Sequence, residues 1–412
     1  MPNETPNATS IFAPPPLASF CDSVGPDLDI VARARGLHPL IRAHAQTAED
    51  DRRVCDTVLQ AINDAGLFRI AVPKRYGGYG ANFRTCIDAV AEIGRADGGT
   101  GWTAGLINVC TWFATLFSDK AQDEVFGTAP DARACAVFTM PKRCERVSGG
   151  FRVSGEWAYA SGSYFVHWCV LGVKVGERAD GTPIPALALI PFSDLALKDT
   201  WQVTAMRATG SNTLVAEDIF VPDYRILTFD NLATENYAST RKDEPNDRAS
   251  FVPVAEIMLD GPIVGLARAA IDLTQEKAGS KFVAYTVFKE ARQSAAHQIK
   301  LAEAACDADL AHLLVARACA DIDKAALYKE RLANVTRARI RMDTGHAAKL
   351  ARDAINRLLS VNGASSFALA NPLQRIWRDC EMGSRHALVL PEVASLIYGR
   401  VLFGVNEPIQ LY

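Results

Sequence analysis

The sequence predicts an α+β protein in three parts: an N-terminal helical domain, a central β-barrel or sandwich, and a C-terminal antiparallel helical bundle. Three observations carry this. No proline lies between Pro262 and Pro372 and no glycine between Gly279 and Gly345, and an Ala/Leu/Arg/Lys/Glu-rich run of that length reads as long helices. Between Ala134 and Phe229, short β-branched and apolar runs alternate with glycine and proline, as in a small barrel or sandwich. The preceding segment has helical texture with short connections. At 412 residues, 49% hydrophobic and 22% charged, the chain can bury a large core and divide into two or three domains. The expected boundaries are a mobile segment at 1–26, helices at 27–133, β-structure at 134–230, a linker at 231–250 and the bundle at 251–412.

In chain order, the Pro/Asn/Thr-rich start has neither a basic region followed by an apolar core nor an anchor. Thr47 or Asp50 is positioned to cap a helix that runs to Asn63, and Gly66 ends it. The Gly77-Gly78-Tyr79-Gly80 turn lacks the G-K-[ST] ending of a phosphate loop and reads as a tight connector. Trp102, Trp112 and Phe113 are core-sized anchors of the helices that follow. Strands are expected at 151–154, 168–175, 186–191 and 214–221, punctuated by Gly149-Gly150, Gly155 and Asp180-Gly181. In the bundle, Ile299, Ala302, Cys306, Leu310 and Leu313 form an apolar stripe at helical spacing. The many alanines suit close helix approach, including packing against a sister subunit.

Composition excludes several classes. A net charge of −3 makes no electrostatic case for nucleic acid or an anionic membrane, and no run reaches transmembrane length. The ten cysteines contain no C-x-x-C pair and the seven histidines no H-E-x-x-H, so no metal site is expected. Cysteine at this level reads as reduced thiols in a cytoplasm.

The most informative stretch is Trp201 to Pro222, WQVTAMRATGSNTLVAEDIFVP. Its polar loop, Ala208 to Thr213, contains Gly210, which tolerates positive φ or close approach to a ligand. The flanking hydroxyls and amide can hydrogen-bond a flat polar heterocycle, although the loop alone reads first as a hairpin turn. MRATGSNTLVAEDIFVP resembles the M-R-x-T/S-G-S-x-T signature of the acyl-CoA dehydrogenase fold. The resemblance covers roughly Leu37 to Phe403 and includes GFRVSGEWAYASG (Gly150 to Gly162) and NPLQRIWRD (Asn371 to Asp379), in the family's order and spacing. It implies a flavin beside the signature loop.

Within that family the commonest dehydrogenases carry a glutamate base at a fixed distance after the R-D pair. Here that distance from Arg378-Asp379 lands on His386 or Ala387, while Glu381 and Glu392 lie a helical turn or more away. A histidine in this register, with W-x-x-x-S-G at Trp157 to Gly162, resembles the oxygenase components of two-component (group D) flavin monooxygenases, including aromatic and indole hydroxylases. The resemblance implies reduced FAD or FMN supplied by a separate reductase, dioxygen as co-substrate, a flavin hydroperoxide and a small aromatic substrate. It assigns Ser161, then Ser163, to the flavin N5 edge and His386, titrating near neutrality, to proton management at the transferred oxygen. Trp157, Thr209 and Ser211 are further cofactor contacts. Arg292 is the first candidate for the flavin phosphate, with Lys281 and Lys289 beside it. Gln298 and the turn from Asn362 to Ser366 meet a neighbour's cofactor, so a homotetramer is implied. Read alone, Ser161 satisfies a turn and His386 is a bundle histidine.

Two departures bear on substrate. Phenol hydroxylases of the family carry a histidine where this chain has Cys110, followed by Trp112, and both are expected in the substrate pocket. The change favours a substrate that needs no deprotonation, such as indole or indole-3-acetate, or oxygenation at nitrogen or sulfur. The loop after Pro141 is Lys142-Arg143-Cys144-Glu145-Arg146 in place of the family's glycine-containing loop over the flavin. The rival expectations are an acyl-CoA dehydrogenase-like dehydrogenase or oxidase, and a catalytically idle assembly protein. No dinucleotide fingerprint is present, so NAD(P)H binding falls to the reductase.

Overall fold

The computed structural model describes residues 25–127, 129, 131–141, 143–405 and 409. Most of the expected mobile segment, residues 1–24, lies outside the described residues. The N-terminal helices are α1 (Leu28–Gly36), α2 (His38–Asp51), α3 (Asp56–Asp64), α4 (Phe83–Ala96), α5 (Gly98–Ala114) and α6 (Asp119–Phe126). Side chains start four of them: Asp27 accepts from Asp29 and Ile30 N–H, Asn82 from Thr85 N–H, Asp97 from Thr100 N–H, and Ser118 from Ala121 N–H. Helix α5 is buried along almost its whole length and is the central strut of the domain.

The helix expected to run from Thr47 or Asp50 to Asn63 is two helices. Both proposed caps lie inside α2, which stops at Arg52 in the left-handed region, φ 56°. The Arg52 guanidinium pairs with Asp199 at 2.6 Å and donates to the Trp201 carbonyl, so a contact made 147 residues away fixes the break. Gly66, φ 74°, follows the end of α3 as expected.

The β-region comprises β1 (Ala134–Val137), β2 (Arg143–Val147), β3 (Gly150–Ala160), β4 (Trp168–Glu177), β5 (Pro183–Pro191), β6 (Ala196–Lys198), β7 (Asn212–Pro222) and β8 (Ile226–Thr228). They form two four-stranded sheets, β1-β4-β5-β8 and β2-β3-β7-β6, rather than a closed barrel. All pairs are antiparallel except β1 with β4. In the β3–β7 pair, Trp157 lies opposite Leu214 and Ala160 opposite Asn212, with register shifts at Val153/Gly155 and Trp157/Ala160. These irregularities bend β3 before its last pair, and the turn at Gly162 that follows lies beside Thr103 and Ile107 of α5. Arg143 to Arg146, expected as a loop, belong to β2.

Between sheet and bundle lie α7 (Phe229–Ala233) and a tied-down segment in which Asp247 pairs with Arg75 at 2.9 Å. The bundle consists of α8 (Phe251–Ile257), α9 (Asp260–Ala278), α10 (Ala295–Tyr328), α11 (Asn334–Asn362), α12 (Pro372–Gly383) and α13 (Pro391–Leu402). The core of α10 is a row of small residues, Ala304, Ala308, Ala311, Val315, Ala318 and Cys319. The stripe read from the sequence lies on the opposite, outer face: Ile299, Leu310 and Leu313 are each between 44% and 56% exposed. The helical period was read correctly, but the small residues pack inside this chain because they let α10 and α11 approach closely.

Candidate active site

The signature loop is held by the C-terminal bundle. Arg378 donates to the Thr204 carbonyl and, at 2.9 Å, to Glu49, while Asp379 accepts the Met206 N–H at 2.6 Å. Met206 is itself in the left-handed region, φ 50°, a costly conformation for a side-chain-bearing residue that this bond supports. The turn then passes through Gly210, φ 52°, where a Cβ would come within 2.7 Å of the Tyr164 ring. Gly99 at the start of α5 allows the other close approach, since a Cβ there would meet Ala208 Cβ at 2.8 Å. The loop is therefore seated between α5, α12 and the end of β3.

A chain of hydroxyls results. Thr209 donates to the Met206 carbonyl at 2.8 Å and lies 2.7 Å from Ser211, which lies 2.8 Å from Ser161. Ser161, half-buried after β3, accepts the Trp102 indole N–H at 3.3 Å. The Trp102 ring lies 5.8 Å from the His386 imidazole, centroid to centroid. Ser161, Ser211, Thr209 and His386, read from three separate motifs, are thus gathered at one place. The residue that joins them, Trp102, was read from the sequence only as a core anchor. Its position in the sequence, followed by Thr103 and one turn before Leu106, gave no signal of a polar partner.

His386 is exposed as a residue, and the protein around it partly desolvates its ring. That desolvation, reinforced by the Arg341 guanidinium, pushes its pKa down to about 4. The expectation of titration near neutrality is therefore corrected: the imidazole is neutral through the physiological range. Its Nδ1 accepts the Leu388 N–H at 3.2 Å, which leaves the ring proton on Nε2.

Several expected contacts lie elsewhere. Trp157 is fully buried and donates its indole N–H to the Gly172 carbonyl at 3.0 Å, so it anchors the β-domain core and offers no surface to a cofactor. Ser163 is also fully buried, and its hydroxyl is committed to the Gly210 carbonyl at 3.0 Å; it shapes the turn. Cys110 and Trp112 are both buried in the core. The Cys110 thiol, its pKa raised by burial, lies against Cys135 and the Ala136 N–H, and Trp112 donates to the Asn246 carbonyl at 2.9 Å. Both are core residues rather than walls of a substrate pocket, because α5 is enclosed on all sides beyond its first turns.

Arg292 and Gln298 are brought together in a separate recess with Lys277, Lys281, His297 and Asn362. Arg292 is exposed and pairs with Glu290; Gln298 donates to the Arg292 carbonyl at 2.9 Å. His297 Nδ1 is buried there without a hydrogen-bond partner. The donor set of cations and amides suits a phosphate. At the loop, Asn212 Nδ2 is likewise buried and unpartnered, its oxygen being used by the Thr200 and Trp201 N–H groups. Uncharged hydroxyls and a free amide donor at the loop fit a flat heterocycle.

No carboxylate base occupies the dehydrogenase register. Asp379 is turned to Met206, and Glu381 pairs with Arg385 and accepts from Asn356 at 3.2 Å.

The acyl-CoA dehydrogenase N-terminal domain matches residues 35–127 and the acyl-CoA dehydrogenase C-terminal domain matches residues 257–391. The chain is 34% identical to the flavin-dependent monooxygenase oxygenase subunit HsaA of Rhodococcus jostii (strain RHA1), over 90% of this chain and 98% of that one. It is 30% identical to the oxygenase component of the FADH(2)-dependent resorcinol hydroxylase of Rhizobium sp. (strain MTP-10005), over 92% and 95%. Among solved structures, XiaF from Streptomyces sp., in complex with FADH2 and glycerol, superposes with a TM-score of 0.88 at 31% identity, covering 93% of this chain and 97% of that one. With the dehydrogenase base absent and the hydroxyl chain ending at the Trp102 indole, the chain belongs to the acyl-CoA dehydrogenase-fold oxygenase components of two-component flavin-dependent monooxygenases.

Proposed function

We propose that this oxygenase uses reduced FAD or FMN, delivered by a separate reductase, and dioxygen to hydroxylate a small electron-rich aromatic, an indole derivative such as indole or indole-3-acetate. The observation that carries this reading is the Ser161–Ser211–Thr209 hydroxyl chain meeting Trp102 and a neutral His386. When bound, reduced flavin supplies two electrons and activates dioxygen, one atom of which enters the substrate while the other leaves as water. The protein's share is arrangement. Ser161 holds the flavin edge through its hydroxyl, Thr209 and Ser211 fix that hydroxyl's direction, and Trp102 closes the site to water. His386 presents Nε2–H toward the oxygen to be transferred. The recess of Lys277, Lys281, Arg292 and Gln298 receives the flavin phosphate of a neighbouring subunit. The exposed Ile299–Leu310–Leu313 face of α10 is the surface on which that homotetramer assembles.

An Nε2–H imidazole cannot accept a phenol proton at that nitrogen, which favours an aromatic ring that is electron-rich without deprotonation. A phenol is the second reading, supported by the likeness to the resorcinol hydroxylase. The test is to mix protein with reduced flavin anaerobically, admit oxygen with indole or with resorcinol, and quantify hydroxylated product against hydrogen peroxide. Product from indole in excess of peroxide is the expected result. Product from resorcinol alone selects the second reading. Oxidised flavin that co-purifies and is bleached by an acyl-CoA would overturn both in favour of a dehydrogenase.

A further inference from the structure

Arg341 is fully buried in α11, an expensive place for a charge that cannot be neutralised. Its guanidinium donates to the Ala387 carbonyl at 2.7 Å and to the Leu388 carbonyl, and the Leu388 N–H in turn donates to His386 Nδ1 at 3.2 Å. On its other side, Arg341 lies 3.1 Å from Glu256 of α8, with Asp260 at the start of α9 nearby. Both acids are fully buried, and none of their four carboxyl oxygens has a hydrogen-bond partner. Burial raises both: Glu256 to about 8, and Asp260 well above the usual carboxylate range. Glu256 is the ion-pair partner of the guanidinium, and its burial weakens it as a counter-charge beneath the His386 turn. Asp343, also on α11 and paired with Arg317 at its far side, is the other carboxyl in the neighbourhood.

We infer that Arg341 is a positioning residue for the oxygenation: through the Ala387 and Leu388 carbonyls it holds the Leu388 N–H on His386 Nδ1, so that His386 presents a fixed Nε2–H donor. This rests on the proposed role of His386. The geometry makes the role distinct from packing. A guanidinium fork spans two successive carbonyls at once, which a lysine ammonium does not reproduce. Its fixed charge also disfavours a second proton on the imidazole. His386 is thereby a hydrogen-bond donor that neither takes up nor releases a proton during turnover.

The experiment is nitrogen NMR of the flavin-free protein labelled with ¹⁵N-histidine, from pH 5 to 8, with the His386→Ala spectrum identifying the resonances. The wild type should show the neutral Nε2–H pattern throughout. Arg341→Lys keeps the charge and loses the fork, so His386 should remain neutral but mix its two tautomers. Arg341→Met combined with Glu256→Gln removes the charge together with its balancing acid, which protects folding. There the His386 titration should rise by about one pH unit or more, and the product yield should become pH-dependent. A wild-type His386 that is protonated on Nδ1 would overturn the inference. So would variants that lower the melting temperature while leaving tautomer and titration as in the wild type. If the lock is observed but His386→Ala leaves the product-to-peroxide ratio unchanged, the lock on His386 stands and the proposed catalytic role of His386 falls.

Discussion

Met206 and Asp379 meet across 173 positions of sequence, the backbone N–H of one donating to the buried carboxyl of the other at 2.6 Å. This bond ties the bundle to the signature loop at the residue whose carbonyl receives Thr209. Burial, then the nearby Asp97 carboxylate, raises the Asp379 pKa to about 8. A carboxyl whose folded value lies above its unfolded value of 3.8 holds a proton that the unfolded chain releases. Its contribution is therefore full below pH 4 and declines as pH rises toward 8. Asp379→Asn keeps an oxygen for the Met206 N–H and removes the titration. The stability of the variant relative to wild type should climb by up to about 1.4 kcal/mol per pH unit between pH 4 and 8. Denaturant unfolding of both proteins at pH 5 and pH 8 measures it, and a pH-independent difference would refute the shift.

Ser161 and Ser163 are separated by one residue and perform different jobs. Ser161→Ala removes the hydroxyl that joins Ser211 to the Trp102 indole. Melting should change little, because Ser161 is only half-buried and Ser211 keeps its bond to Thr209. Peroxide release should rise several-fold, the scale of a lost hydrogen bond worth about 0.5–1.5 kcal/mol. Ser163→Ala removes one of two hydrogen bonds to the buried Gly210 carbonyl, which keeps the Asn212 N–H, and should cost about 0.5–1.5 kcal/mol of stability, with an unaltered product-to-peroxide ratio. The opposite pattern would exchange their assignments.

The contrast shows which features the sequence disclosed. The order of helices, sheets and bundle was legible because Gly and Pro spacing and apolar periodicity report local structure directly. Ser161, Ser211 and His386 drew notice because each sits in a motif that resembles a family's, and the structure brings them near one another around Trp102. Trp157 was misread within such a motif: its place opposite Leu214 turns it into the sheet core, a consequence of β3–β7 register. Trp102, Asp379 and Arg341 act through partners 59, 173 and about 46 positions away. No local pattern encodes those separations. The helix break at Arg52 belongs with them, since Asp199 supplies its cause and no glycine or proline marks it.

Cys110 offers a direct check on where the substrate pocket is. If it faced the substrate, Cys110→His would install a base and improve phenol turnover. Its thiol instead packs against Cys135 and the Ala136 N–H under α5, with 1% exposure. The larger, polar ring should overpack the core and cost about 1–3 kcal/mol, with no gain on resorcinol. A stable variant with faster phenol hydroxylation would place Cys110 in the pocket after all.

His386→Ala separates a working histidine from a packed one. The imidazole is neutral because protein crowding, aided by Arg341, lowers its pKa to about 4. Coupling of oxygen to product should therefore be flat between pH 6 and 8 in the wild type, with no inflection from this group. A folded pKa below the histidine value of 6.5 also means that the native state resists protonation. The unfolded chain then binds more protons as pH falls from about 6.5 toward 4, so the wild type loses stability across that window and His386→Ala should lose less. The variant should still bind reduced flavin and consume oxygen, because Ser161, Ser211 and Thr209 are untouched. What it lacks is the Nε2–H donor, so reducing equivalents should appear as peroxide and product should fall by about 10²-fold, the scale of removing one preorganised hydrogen-bond donor. His167→Ala is the control. His167 accepts the Arg133 N–H at 3.1 Å at the edge of β4, and its loss should leave coupling intact. Measuring product, peroxide and melting temperature on both variants decides the matter: uncoupling in His167→Ala with coupling retained in His386→Ala would move the function to the other histidine.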